Sequence, residues 1–227
     1  DASLWGAQRD ALADAGYRVV DADTTQDNTI GAMAERTLSA VKGPIIPVGF
    51  SMGGIIALEI ARQSPERLSA MALLDTNAGA DLPERAKVRP VQQQRVRDGE
   101  LEIIVRDELK PHYLAQENRS NSALKAHLLE MAMGLGKDVF IRQSEALRTR
   151  NDAWDLLPGI DCPVMVACGA EDTLCPPEWH QRMAAALPNA ELHIVSGSGH
   201  MLPLEQPDIC RNMLTKFLNN IRMENTI

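Results

Sequence analysis

The sequence predicts an α/β fold: a mostly parallel sheet with helices on both faces, plus a helical cap insertion. Three observations predict it. Short continuous apolar runs alternate with helix-length amphipathic segments in both end regions of the chain. Such runs suit strands covered on both faces, the usual situation in a parallel sheet. A charged, helix-favouring stretch without a convincing strand fills the middle, residues 78–151. Third, the run Pro44-Ile45-Ile46-Pro47-Val48 enters Gly49-Phe50-Ser51-Met52-Gly53-Gly54, and a helix-like segment follows.

The elements follow in order. Residues 4–15 place Leu4, Trp5, Ala11, Leu12 and Ala15 at amphipathic spacing and stop at Gly16. Tyr17-Arg18-Val19-Val20-Asp21-Ala22 alternates as a strand. Residues 29–41 are expected to be a helix closed by Gly43-Pro44, and 44–48 a strand. A helix then runs to about Gln63, where Ser64-Pro65 ends it, and 68–74 form a buried strand stopping at Asp75-Thr76-Asn77. After the insertion come a strand at 163–168, a helix at 177–187, a strand at 191–195 and a closing helix from Pro207 to about Met223. The division is 1–77 with 152–227 as core and 78–151 as cap.

A chain of 227 residues fits one domain with a substantial core. Its 31 acidic and 23 basic residues leave a net charge of −8, which argues against a nucleic-acid surface. No apolar run approaches the roughly 18 residues that span a bilayer, and no signal-peptide pattern opens the chain, so neither membrane nor secretion is expected. Arg85, Lys87, Arg89, Arg95 and Arg97 form a basic cluster whose helical spacing and acidic neighbours suit a solvated face. Cys162, Cys168, Cys175 and Cys210 lack metal-like spacing. Four reduced thiols in a cytoplasmic protein are the expectation, with packing as the role of Cys175.

The chemistry centres on Ser51. A hydroxyl becomes a useful nucleophile when it is exposed, fixed in direction and next to a base. A sharp strand-to-helix turn exposes it, and Gly49 and Gly53 are expected to let strand and helix approach. Later strand ends carry Gly169-Ala170-Glu171-Asp172-Thr173 and Ser196-Gly197-Ser198-Gly199-His200. Functional groups gather at such carboxyl ends of parallel strands. Asp172 and Glu171 are rival acids. His200 sits in a glycine-rich loop, whereas His193 lies in a strand, His180 on a helix, and His112 and His127 in the cap.

On these motifs, with Pro203-Leu204-Glu205-Gln206-Pro207 after His200, the chain resembles the α/β-hydrolase superfamily from first helix to last. It looks especially like small bacterial serine esterases and lactonases with a helical cap. The resemblance implies Ser51 as nucleophile, His200 as base, Asp172 as the acid orienting it, and the Met52 N–H as one oxyanion donor. It also implies a small-molecule ester or lactone substrate and no metal or organic cofactor. Two alternatives stay open: a non-hydrolytic enzyme on this scaffold, such as a lyase or cofactor-free peroxidase, and a catalytically inactive binding protein. Arg148 and Arg150 could meet an anionic substrate or be solvated helix charges. Met131 and Met133 could line an acyl pocket or belong to the core.

In relatives, a strand ending in a glycine-containing turn precedes the first helix and supplies the second oxyanion N–H. That strand lies between the equivalents of 17–22 and 43–48. Asp1-Ala2-Ser3-Leu4-Trp5 resembles the sequence just after that turn. The expectation is therefore a piece of a longer protein. The alternatives are two neighbouring strands closing the gap, or a strand supplied by another chain to this monomer or homodimer.

Overall fold

In the computed structural model, which describes residues 1–224, four parallel strands form one sheet in chain order. They are β1 (Val48–Phe50), β2 (Met71–Leu74), β3 (Val164–Gly169) and β4 (Ala190–Val195). The register pairs Gly49 with Leu73, Leu73 with Val166, and Val166 with Leu192. Those pairings bring the carboxyl ends of β1, β2 and β3 to one rim.

Why β2 and β3 read as unbroken apolar runs is visible in their two faces. Ala72, Leu74, Met165 and Ala167 pack with α1 (Gly6–Asp14), α8 (Leu202–Glu205) and α9 (Pro207–Glu224), through Leu12, Leu202, Leu214, Phe217 and Ile221. Met71, Leu73, Val164 and Val166 pack on the opposite face with α3 (Met52–Gln63) and α7 (Pro177–Ala186), through Leu58, Ala61 and Met183. With side chains alternating at period two and both faces covered, every position must be apolar. α2 (Ile30–Ala40) lies against α3 through Met33 and Ala34. Its start is fixed by Thr29, whose hydroxyl accepts from the Ala32 N–H at 3.2 Å.

Two strand expectations need correction. Residues 17–22 form no strand. Tyr17 and Val19 do pack against the core while Arg18 and Val20 are exposed, so the alternation is real. Alternation, however, records only which side chains are covered; a strand also needs adjacent backbone groups, and none of the described strands runs beside this segment. The first strand is displaced as well. Residues 44–47 make an isolated bridge, Ile45 with Leu68, and regular pairing begins only at Val48. Pro44 and Pro47 lack the N–H groups that a ladder uses.

Among the described residues, 78–151 hold helical elements and no strand. These elements are α4 (Pro83–Arg97), α5 (Leu101–Ile103), a π turn (Ile104–Leu109), 3₁₀ turns at Lys110–His112 and Gln116–Asn118, and α6 (Ser122–Arg148). α6 is broken at Gly136, whose φ of 79° and ψ of 176° suit glycine alone. Val96, Leu101, Ile104 and Val105 give this region its own apolar cluster. Its two ends are joined. The Arg150 guanidinium donates to the carbonyls of Gly79 and Ala80 and to Asp81 Oδ1, and the Ala153 N–H donates to Ala78 O at 2.8 Å.

Arg150 therefore fits neither expectation for it. Its side chain is 4% exposed and Asp81's is 1%, with Arg89 as the second partner of that carboxylate. Breaking such a buried pair costs about 3–5 kcal/mol, so its role is holding the crossing together. Arg148 is an ordinary outer-face charge paired with Glu145 at 2.6 Å. In the basic cluster, Arg89 and Arg95 are ion-paired and Arg85 donates to the Leu174 carbonyl. Met131 packs in a cluster with Leu4, Leu114, Leu128 and Met201, whereas Met133 is exposed and so belongs to no core. No helix among the described residues is long and apolar enough to cross a membrane.

Candidate active site

The turn at the end of β1 is strained in the way its motif requires. Ser51 has φ 49° and ψ −114°, a conformation that non-glycine residues adopt only when their surroundings impose it. The surroundings do. Its N–H donates to Leu74 O at 2.8 Å, and its carbonyl accepts from Gly54 N–H at 3.0 Å and from the Thr76 hydroxyl at 2.7 Å. A Cβ on Gly49 would lie 2.3 Å from Gly53 O, and one on Gly54 would lie 2.5 Å from Thr76 Cγ2. A Cβ on Gly53 would meet nothing within 4 Å. The close approach thus depends on Gly49 and Gly54, not on Gly53 as the motif suggested.

The three strand ends converge. His200 Nε2 lies 2.9 Å from Ser51 Oγ, and His200 Nδ1 lies 2.8 Å from Asp172 Oδ2. A carboxylate only accepts, so Nδ1 carries the proton toward Asp172 and Nε2 is left to accept from the serine hydroxyl. The imidazole lies against the Phe50 and Tyr113 rings, with centroids 5.3 and 5.7 Å away. Asp172 Oδ1 accepts from the N–H groups of Leu174 and Cys175 at 2.8 and 2.9 Å. Burial alone would raise the Asp172 pKa; the His200 charge and hydrogen bond, with those two N–H groups, outweigh it and hold the carboxyl below its ordinary range. The rival acid Glu171 points elsewhere, its Oε2 accepting from the Gln116 N–H at 2.8 Å. Met52 begins α3, where first-turn N–H groups have no intrahelical acceptor.

Glycine also sets the spacing of the acid and histidine loops. A Cβ on Gly169 would fall 2.0 Å from Gly199 O, so β3 and the His200 loop touch backbone to backbone.

A second set of buried groups stands behind these, at the end of β2. Asp75 is fully buried with φ 46°; its Oδ1 accepts from the Gly169 N–H at 2.9 Å, and its Oδ2 has no partner among the described residues. Burial, then the Asp172 charge, pushes this carboxyl well above the ordinary carboxylate range. Thr76 donates its N–H to His180 Nε2 at 2.9 Å, and His180 Nδ1 faces Pro176 O at 3.2 Å. Burial lowers the His180 pKa to about 4. His180 is thus a neutral strut between α7 and the end of β2. His193 is half-exposed beside Glu191, His112 is exposed, and His127 is half-buried in α6.

Asp172, Cys175 and His200 have ligand atoms within 4.8 Å of one another. In the structure Asp172 and His200 satisfy each other, and burial, aided by the Asp172 charge, pushes the Cys175 thiol up to about 12. The thiol is therefore neutral and packs against the Asn77 amide at 3.5 Å. Thr76, Asp75 and Tyr113 are site neighbours that the sequence did not single out. The first two occupy a strand end, as Asp172 does, and that was an available signal. Tyr113 lies in the helical segment, where periodicity says nothing about which side chains reach the sheet.

A model described as the alpha/beta hydrolase family matches residues 5–212. A Bacillus subtilis (strain 168) protein provisionally named 2-succinyl-6-hydroxy-2,4-cyclohexadiene-1-carboxylate synthase is 26% identical over 191 residues, covering 77% of this chain and 65% of that protein. The chain thus spans under two thirds of that relative's length. A Pseudomonas savastanoi pv. phaseolicola (strain 1448A / Race 6) protein provisionally named carbamate hydrolase RutD is 29% identical over 206 residues, covering 87% of this chain and 78% of that protein. Among solved structures, a thermophilic esterase from Thermogutta terrifontis with malate bound superimposes with a TM-score of 0.87 at 28% identity, covering 97% of this chain and 86% of that one. The enol-lactonase from Burkholderia xenovorans LB400 has a TM-score of 0.81 at 22% identity, covering 96% and 87%, and shares the fold.

Proposed function

This chain belongs to the alpha/beta hydrolase family, and we propose that it hydrolyses a small carboxylic ester or lactone through an acyl-serine intermediate. The observation that carries the reading is the hydrogen-bonded run from Ser51 Oγ through both nitrogens of His200 to Asp172. Ser51 loses its proton to His200 Nε2 as Oγ attacks the carbonyl carbon. The resulting oxyanion takes a hydrogen bond from the Met52 N–H. The C–O bond to the leaving alcohol then breaks, and His200 returns its proton to that oxygen. Water repeats the sequence on the acyl-serine, releasing the acid and restoring Ser51. In a lactone the leaving oxygen stays tethered, and the product is a hydroxy acid. Asp172, ionised throughout, keeps Nδ1 protonated and stabilises the imidazolium between the two transfers.

The esterase likeness over nearly the full chain supports an ester over other acyl substrates. One observation favours a second reading: the Bacillus subtilis relative is named a synthase, so the same scaffold could break or form a bond without hydrolysis.

A p-nitrophenyl ester separates the two. Hydrolysis through Ser51 gives a burst of p-nitrophenol equal to the enzyme concentration and fluorophosphonate labelling of Ser51. Ser51→Ala should lose both, with kcat down on the order of 10⁶-fold. Folded protein that neither labels nor bursts would turn the assignment toward the non-hydrolytic reading.

A further inference from the structure

Glu205 belongs to a motif that the reaction leaves without a task, yet its carboxylate is the most heavily used in the site. Oε1 accepts from the N–H groups of Gly199 and Met201, at 2.7 and 3.2 Å, which flank His200 on either side. Oε2 accepts from the Ala115 N–H at 2.8 Å and Asn118 Nδ2 at 3.0 Å, both in the helical segment. A carboxylate offers about four acceptor positions, and all are taken.

The two segments it joins are in direct contact. The His200 N–H donates to Tyr113 O at 2.7 Å, and a Cβ on Gly199 would lie 2.7 Å from Ala115 N and 2.8 Å from Tyr113 O. Residues 112–118 also reach the acid's loop, through Glu171 on the Gln116 N–H and the Thr173 hydroxyl on His112 O at 3.3 Å. This strap therefore crosses both loops that complete the hydrogen-bonded run to Ser51.

We infer that Glu205 is a positioning residue: it locks the His200 loop to the 112–118 strap and so sets where the imidazole stands relative to Ser51. The inference rests on the reading of His200 as the base. Gly199, Ala115 and Met201 offer N–H donors that no side-chain choice can change, so the group between them must accept on both sides. An amide cannot. In Glu205→Gln one pair of donors faces an NH₂ group, and either the histidine loop or the strap is released. A displacement of about 1 Å at a reacting group lowers turnover roughly a hundredfold.

The test compares wild type, Glu205→Gln and Asn118→Ala, all checked for folding by circular dichroism. The first readout is the downfield proton resonance of His200 Nδ1–H, assigned by its loss in His200→Gln. Glu205→Gln should shift or broaden it and lower kcat roughly a hundredfold with KM little changed. Asn118→Ala, which removes one donor of four, should move both readouts the same way by less. A merely structural role would lower Tm and leave the resonance and kcat of the folded protein alone. A folded Glu205→Gln with wild-type resonance and kcat overturns the inference; should that variant not fold, an unmoved resonance in Asn118→Ala does so. Because the resonance needs no turnover, a wild type inert toward esters counts against the proposed function alone.

Discussion

Two buried aspartate and histidine sets stand at neighbouring strand ends, and their partners make them opposites. Beyond β3 and β4, Asp172 has two backbone N–H groups on one oxygen and the His200 ring on the other. Its pKa is held low although burial opposes this. Beyond β2, Asp75 has the Gly169 N–H on one oxygen and, among the described residues, no hydrogen bond on the other, and burial with the Asp172 charge pushes its pKa well up. The histidines diverge likewise. His200 meets a carboxylate and a hydroxyl, which can exchange protons with it; His180 meets a peptide N–H and a peptide carbonyl, which cannot. Burial is common to all four groups, so burial does not distinguish the proposed catalytic set. What marks it is a continuous path of groups that can each pass or stabilise a proton.

The largest way to break the comparison is Asp172→Asn. An amide in that place faces Nδ1 with either group and no longer fixes the tautomer, so kcat should fall by about 10⁴-fold. Asp75→Asn, by contrast, replaces a carboxyl that burial pushes toward its neutral form with an amide of the same shape, and kcat should stay close to wild type. Ester hydrolysis measured at neutral pH on both purified variants checks the pair. Equal losses would mean that Asp75 carries charge in the working site, and the distinction between the two ends would collapse.

An effect of intermediate size is expected where the proposed catalytic set is spaced by contact. Gly169 has an ordinary strand conformation, so Gly169→Ala is a purely steric change, and its Cβ would meet Gly199 O at 2.0 Å. Relief requires the His200 loop to retreat by about 1 Å, and the expected loss in kcat/KM is roughly a hundredfold. Gly53→Ala serves as the control, since a Cβ there meets nothing within 4 Å. The rate of fluorophosphonate labelling at Ser51 reads both variants.

These contrasts also explain what the sequence could and could not convey. The parallel sheet was legible because β2 and β3, covered on both faces, must be apolar at every position, and Ser51, Asp172 and His200 were legible because each lies in a turn just past a strand-like run. Residues 17–22 misled because alternation reports covering, whereas a strand depends on a neighbouring backbone. Gly53 was credited with a contact made by Gly54, since the motif names positions and only the packing of Thr76 decides which one is crowded. Arg150 looked like an outer-face charge because Asp81, its partner, lies 69 residues away in sequence. Glu205 was in view without a task, because its four donors come from two loops and three of them are main-chain groups that carry no sequence signature.

The smallest and most diagnostic test is the pH dependence of stability, where the set behind β2 should show two opposed slopes. His180 has a folded pKa of about 4 against 6.5 unfolded. Between these values the unfolded chain binds the extra proton, so His180 makes the fold lose stability as pH falls through that window. Its Nε2 already accepts from Thr76, and a proton there would set donor against donor. Asp75 has a folded pKa raised well above 3.8 by burial and by Asp172. Above 3.8 the folded chain holds the proton that the unfolded chain gives up, so Asp75 makes the fold lose stability as pH rises. The His180 slope approaches about 1.4 kcal/mol per pH unit between its two pKa values, and the Asp75 slope runs against it. His180→Gln keeps both hydrogen bonds through its amide and removes only the titration, so this variant should gain about 2 kcal/mol, relative to wild type, on going from pH 6 down to 4.5. Asp75→Asn should change with the opposite sign. Urea unfolding of the three proteins at the two pH values measures both differences, and slopes of the same sign in the two variants would show that one of these groups is charged in the fold.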